Sequence, residues 1–536
     1  MSQGIRGALR SRTIAAVACL SLLATSGGIQ QVVASSSQAA APLIVNVAQA
    51  PATLDPENAY GLFDLTVLDQ TYVRLTQYGT KPGPNGTMQI DASHIVPYLA
   101  KSIAISKDGL TYTFTLPAGA KFTSGDPMDA AAVVQSIKWI EGQTGAYFLY
   151  DGIYTPPLVK SVTAPNATTV VITLSQPDAN FLQDLAQPAC AIFDPAVVKA
   201  HGGYQAGKVN QWMASHVAGG GPYMLQSYEA NTKAVLVANP TFFGPQPASK
   251  EIIVNFVNSD PTLLLQARSG AADVTLGLSK QSVHSLVGNS NVKIVANDTA
   301  VWEQIGLPNN MAPFNNVLFR EALTYAVPYQ QILTNIAFGY GKLFYGPFPP
   351  AFPEFNPTLE APRPFDLAKA QALIKQSGVA TPVTVQMSIP EGNSNEQAIA
   401  TVVQGVWRTL GVNVVIQPLS ASDYITALET HKAQSYIRYD GPGVLEPGYL
   451  LGYDLLCGIS YNLSSVCIPK ADKLLAIARK STNLTLRQNI WNQIDALWTA
   501  DSPKIPVYAD QNVTVLNAHM KSYLYSHEVD MRTWSL

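Results

Sequence analysis

The densest run of chemically capable side chains is Tyr436-Ile437-Arg438-Tyr439-Asp440-Gly441-Pro442, continued by Glu446-Pro447-Gly448-Tyr449. A carboxylate, a guanidinium and two phenols fall within five residues, a set able to orient a polar ligand through charge-assisted hydrogen bonds. Asp-Gly-Pro is also strong turn chemistry, in which the Asp side chain bonds to nearby backbone. Asp440 therefore has two open roles. Tyr436, Arg438, Tyr439 and, far upstream, Tyr60 are further candidate ligand contacts, each of which could instead pack or face solvent. Catalysis is poorly served by the motifs: Walker A, His-Glu-x-x-His, Gly-x-Ser-x-Gly and a complete Gly-x-Gly-x-x-Gly are all absent. Gly339-Tyr340-Gly341 begins the last of these, but Phe344 occupies the position of its third glycine. A dispersed triad leaves no local trace, so an exported hydrolase stays as an alternative. No Cys-x-x-Cys occurs, and none of the seven His residues makes a ligand pair at helical spacing, so neither a metal nor a cofactor is expected. Binding needs only a concave site, a few fixed polar groups and aromatic walls, which this composition can supply.

The chain has 536 residues, too many for one hydrophobic core, so two or three domains are expected. Charged residues make up 13% and hydrophobic ones 47%, with 37 Pro and 37 Gly, a globular and loop-rich balance. The formal net charge is −3, and Arg6, Arg10 and Arg12 are the only charges before residue 41; without them the chain stands at about −6. That balance argues against a nucleic-acid partner, which would need a basic footprint.

Arg6, Arg10 and Arg12 precede an apolar run, 13–24, and small residues ending at Val32-Val33-Ala34, which is the pattern of an export signal over residues 1–34. An N-terminal membrane anchor is the alternative, but the run is short for a bilayer and no later stretch reaches ~18 apolar residues. Ala16-Val17-Ala18-Cys19 is a weak lipobox; the apolar run before Cys19 is very short and continues past it, which favours ordinary cleavage and a free periplasmic protein. Cys190, Cys457 and Cys467 then remain. In an oxidising compartment the close pair Cys457 and Cys467 is the expected disulfide, with Cys190 left over, although three unpaired thiols are also compatible.

The elements that must position these groups follow from periodicity and punctuation. A strand is predicted at 43–47 and an amphipathic helix at 65–78, stopped by Gly79. Lys107-Asp108-Gly109 is a turn, after which Tyr112, Phe114 and Leu116 alternate with threonines; Ala120 to Phe122 is expected to return as the second strand of a hairpin. Asp129 caps a helix with Val133, Val134, Ile137 and Ile140 as its buried stripe, and 159–175 forms a second strand pair. At Gly219-Gly220-Gly221-Pro222 a turn is expected, with glycine supplying backbone freedom; a phosphate cradle is disfavoured because no Lys-Ser/Thr follows. Helices are predicted at 314–326, capped by Asn315 or Asn316, at 365–377 before Gly378, and at 396–410 before Gly411. A strand at 412–416 and helices at 471–479 and 486–498 complete the series.

Several of these stretches together carry a resemblance. KDGLTYTFTLPAGAKF at 107–122 with TSGDPMDAAAVV after it, Leu54-Asp55-Pro56, Gly219 to Tyr223, Asn239-Pro240-Thr241-Phe242, Gly270 to Val274, Phe314 to Ala326 and Ser502 to Tyr508 stand in the order found in the family 5 extracellular solute-binding proteins. These are the dipeptide, oligopeptide and nickel receptors of ABC importers. The match runs from about Leu43 to about Tyr508; Pro117 and Ala132 depart from it. It implies an α/β periplasmic binding protein-like fold (type II, large three-lobed variant), with two main lobes closing on a cleft and an extra small domain. Domain I would comprise 43–80, 218–303 and 506–536; domain II 81–217, carrying the hairpin; domain III 304–505. A small solute, peptide-like by resemblance, would bind between I and III, and a monomer would present it to a membrane permease. Nickel is disfavoured because no His-rich tract exists. The resemblance also implies that an aspartate near 440 receives a peptide's ammonium group. Asp440 is one match, but aligning Glu446-Pro447 puts Gly443 there instead, and Ile437 stands near the family's usual Trp. An oligosaccharide or other amine-free cargo therefore stays open, as does a chaperone-like surface protein.

Overall fold

Two long antiparallel strands, Val292–Gly306 and Lys504–Asn517, run through the middle of a computed structural model that describes residues 41–59, 61–141, 157–205, 208–359, 362–526 and 529–536. The expected export signal, Cys19 and Tyr60 lie outside these residues. The strands have 15 and 14 residues, so at ~3.4 Å per residue each reaches about 50 Å. They form the centre of an eleven-stranded sheet. On the flank of Lys504–Asn517 come Val274–Leu276, Leu43–Val47, Glu251–Phe256, Lys233–Ala238 and Tyr223–Glu229; on the flank of Val292–Gly306 come Tyr436–Asp440, Val383–Pro390 and Val412–Leu419. Leu43–Val47 pairs in parallel with both its neighbours. Its sequence, LIVNV, is an unbroken apolar run apart from Asn46, as burial on both faces requires.

The central ladder changes register twice, between Asp298 and Trp302 and again between Glu303 and Gln304. Residues 292–298 pair with 517–511 and Trp302 resumes against Ala509, so 299–301 stand opposite Asp510 alone. On one side of this break the sheet packs the core around Val45, Val254 and Val274. On the other side, helices cover both faces. Ile305 and Ile437 pack with Phe319, Val403 and Trp407, whereas Trp302 and Ala509 pack with Tyr449, Leu450 and Trp491.

The stretch around Lys107 folds differently from its sequence pattern. Gly109 takes φ 71° at the expected turn and Asp108 accepts from the Leu110 amide at 3.0 Å. However, Thr111–Thr115 pairs backwards with Ser102–Ile105 and, on its other edge, with Thr169–Leu174. Both edges are thus occupied, and Pro117 has no N–H to extend a ladder. Ala120 to Phe122 is not a strand, and Lys121 makes only an isolated bridge to Pro127. Val159–Asn166 completes this four-stranded sheet.

Two other expectations need correction. The helix predicted at 65–78 is Leu62–Thr71; Tyr72 is already extended, and Thr76–Pro82 becomes a strand paired with Met88–Pro97. Met88–Pro97 also pairs with Leu524–Tyr525, so 81–97 joins the C-terminal segment in a separate three-stranded sheet, and the four-stranded sheet begins at Ser102. Gly219 and Gly221 are not left-handed. A Cβ there would lie 2.1 Å from the Thr71 carbonyl oxygen and 2.5 Å from that of Gln70, so close backbone approach, not turn freedom, requires glycine. No helix among the described residues is long and apolar enough to cross a membrane.

Cys457 and Cys467 are bonded across a separation of 10 residues, and Cys190 is free and buried. Replacing both partners with Ser is expected to lower the unfolding free energy by about 2 to 3 kcal/mol through loss of loop closure. Guanidinium unfolding checks this; an unchanged midpoint would rule it out.

Candidate functional site

Two cavities meet at Ala92 and Leu445, which line both. The larger, about 320 Å³, is walled by Ser93, Ala179 and Gln183 on one side and by Pro353, Glu354, Glu446, Arg487 and Gln488 on the other. The smaller, about 140 Å³, is bounded by Lys81, Gln89 and Tyr525, by Pro350, and by Asp298, Thr299 and Ala300 at the break in the central ladder. Chain segments hundreds of residues apart therefore share one concavity beside the irregular part of the two crossing strands. Its size suits a small solute.

Most charge on these walls is already paired. Glu446 and Arg487 form an ion pair whose side chains are 2% and 6% exposed. Glu446 also caps the helix Pro447–Asp454 by accepting from the Tyr449 amide at 2.8 Å, and accepts from Asn180 Nδ2. Burial pushes its carboxyl up to about 7 against the opposing pull of Arg487. Asp298 accepts from Lys342 Nζ at 2.6 Å and from Gln511 Nε2 at 2.9 Å. Lys81, half exposed, pairs with Asp91 at 3.5 Å.

The run Tyr436–Asp440 is a strand with Asp440 opposite Trp302. Period two divides its side chains. Asp440, 7% exposed, accepts from Gln304 Nε2 at 2.9 Å and from the Gly441 amide at 3.0 Å, and it pairs with Arg438 at 3.2 Å. Asp440 in turn raises the Arg438 guanidinium above its ordinary value, against burial. Neither residue is on the wall of the two cavities. Tyr436 is fully buried, with its hydroxyl 2.8 Å from Ser464 Oγ and its ring against Gly306, where a Cβ would come within 2.0 Å. Tyr439 lies on the other face, about half exposed, and donates to Asp510 Oδ2 at 3.1 Å. The wall residues Ala92, Ser93, Glu354 and Arg487 carry no shared local motif; of the wall, only Glu446 stood out beside the Tyr436–Asp440 run.

Around Tyr439 the second face carries a cluster of acids at the ladder break. Lys280 pairs with Asp510, donates to the Tyr340 carbonyl at 2.9 Å and sits 4.9 Å over the Tyr508 ring. Asn395 Nδ2 donates to Glu303 Oε1 at 2.6 Å and to Tyr508 Oη at 3.1 Å. Glu396 Oε1 accepts from Asn393 Nδ2 at 3.0 Å and from the Tyr439 amide at 3.3 Å. The Oε2 atoms of Glu303 and Glu396 are buried without a hydrogen-bond partner among the described residues. Burial, followed by the charges of Glu396 and Asp510, pushes Glu303 up to about 8; burial pushes Glu396 up to about 7, against the Tyr439 amide and Arg438.

A model of the bacterial extracellular solute-binding proteins, family 5 middle, matches residues 94–462. The chain is 27% identical over 491 residues to the probable D,D-dipeptide-binding periplasmic protein DdpA of Escherichia coli K12, covering 90% of this chain and 91% of that protein. It is 25% identical over 527 residues to the glutathione-binding protein GsiB of Salmonella paratyphi A, at 93% and 94% coverage. Its fold matches the periplasmic binding protein DppA of Helicobacter pylori, solved with the peptide STSA, with a TM-score of 0.78 at 20% identity, over 92% of this chain and 98% of the other.

Glu303 and Glu396 hold protons more tightly in the folded chain than at the ordinary 4.5, so folding takes up protons. Their contribution to stability is complete below about pH 4.5 and declines as pH rises through about 7 and about 8. Glu303→Gln is therefore expected to flatten the decline in urea midpoint between about pH 5 and about pH 9. An undiminished slope in that variant would refute the assignment.

Proposed function

Given that the chain belongs to the bacterial extracellular solute-binding proteins of family 5, we propose that it is the periplasmic receptor of an ABC importer. It captures a peptide-like solute in the joined cavities and delivers it to a membrane permease, without chemical change to the cargo. The observation that carries this reading is the placement of the concavity. Its walls bring together residues from 81–93, 179–183, 350–354, 445–446 and 482–488, and its lining includes 298–300, where the ladder loses register. Hinge closure of two lobes over a ligand needs such a short irregular segment, able to absorb a change of backbone angle while the ladders on either side stay intact. The peptide-like nature of the cargo is supported by the D,D-dipeptide and glutathione for which DdpA and GsiB are named and by the peptide bound to DppA. Asp440, Arg438 and Tyr436 have a positioning role in this reading: they hold the end of their strand so that Leu445 and Glu446 reach the wall.

A saturating peptide that binds only the folded protein is expected to stabilise it by about 2.7 kcal/mol at a hundredfold excess over Kd. Thermal unfolding with a pool of di- and tripeptides tests this. Ala92→Trp, which fills the point where the cavities join, is expected to abolish the shift while preserving the circular dichroism spectrum. Release of hydrolysed peptide in the same incubation would overturn the receptor reading.

A further inference from the structure

We propose that Glu354 is the side chain that receives the ammonium group of the solute. This inference rests on the peptide-like cargo proposed above and deepens it by assigning the residue that sets amine specificity.

The larger cavity has three acidic or basic side chains on its wall: Glu354, Glu446 and Arg487. Glu446 and Arg487 neutralise each other, and the remaining bonds of Glu446 go to Asn180 and to the helix it caps. Glu354 makes no ion pair among the described residues, and only the more distant charge of Arg487 reaches it. Its Oε2 is sealed from solvent and has no hydrogen-bond partner among the described residues, a costly state for a carboxylate and one that a cationic ligand group would relieve. Burial raises its pKa, with its own backbone amide and the nearby Arg487 opposing.

The loop that presents Glu354 is firmly held. Phe352 is buried in the core with Trp491, and Phe355 packs against the same core. The Glu354 carbonyl accepts from Gln488 Nε2 at 3.2 Å. Only the terminal carboxylate torsion remains broad, and turning it brings either oxygen to the cavity. Asp440 is unsuited to this task, since its carboxylate already has Arg438, Gln304 and the Gly441 amide and does not border the cavity. At the far end of the concavity the loosely paired cation Lys81 offers a counter-charge to a terminal carboxylate. The two ends thus have opposite polarity, matching a short zwitterionic peptide.

The test uses native mass spectrometry on the exported chain with two probes: a pool of free-amine di- and tripeptides, and the same pool N-acetylated. The wild-type protein is expected to retain free-amine peptides at least ~10-fold more strongly than acetylated ones, the size of one charge-assisted bond. Glu354→Gln should erase that preference, and Glu354→Asp should restore part of it. Thermal unfolding of Glu354→Gln should show an unchanged or higher Tm, so that loss of binding is not loss of fold. Undiminished discrimination in Glu354→Gln would overturn the role of Glu354 while leaving the peptide reading intact. Equal retention of both pools by the wild type would overturn amine recognition. Retention of neither pool would overturn the peptide-like cargo itself, and the inference with it.

Discussion

Between Asp298 and Trp302 the hydrogen bonds joining the two central strands lose their register, and three residues face Asp510 alone. An unpaired backbone group inside a sheet costs about as much as a lost hydrogen bond, so such a break needs local substitutes. Thr299 supplies them: its hydroxyl donates to the Asp510 carbonyl at 2.8 Å and accepts from the Val301 amide at 3.2 Å. Beyond the break, Val274 and Thr275 pair along one half and Tyr436–Asp440 along the other, where a second shift falls between Glu303 and Gln304. The irregular backbone lies where Asp298, Thr299 and Ala300 line the smaller cavity.

The two faces of the sheet treat buried charge differently. On the face of Trp302, carboxylates are matched: Asp440 with Arg438 and Gln304, Asp454 with Lys504, Glu446 with Arg487. Removing one member of such a pair would strand the other in a low-dielectric interior, so these pairs fix the strand and helix ends that carry Leu445 and Glu446. On the face of Tyr439, Glu303 and Glu396 each keep an oxygen without a hydrogen-bond partner among the described residues, and burial holds both as proton-binding groups near neutral pH. Glu354 differs from both sets because its unmatched oxygen belongs to a residue on a cavity wall.

Local signals were legible where a short run of sequence decides the outcome. Asn316 caps Val317–Tyr325 by accepting from the Phe319 amide, Asp129 accepts from the amides of Ala131 and Ala132, and Gly378 closes Leu367–Ser377 at φ 71°. The order of motifs was likewise enough to place the chain in its family. What misled was pairing. The alternation at Tyr112 and Phe114 marks a strand, but a strand pattern does not say which edge finds which partner. Ser102–Ile105 and Thr169–Leu174 took both edges before Ala120 could return.

The linear chain by itself determined the helix caps, the turn at Gly109 and several strands, because each depends on side chains within about ten residues of one another, and the order of its motifs was enough for the family. Only the tertiary structure decided which of the candidate residues share a site. In the run Tyr436–Asp440 a period of two sends Asp440 and Tyr439 to opposite faces, into an ion-pair network and a cluster of acids respectively. The wall that replaces them is assembled from Ala92, Glu354, Leu445 and Arg487. Nothing in the spacing of these four announces the contact, since it arises from sheet order and lobe packing, which are long-range free-energy choices rather than local ones.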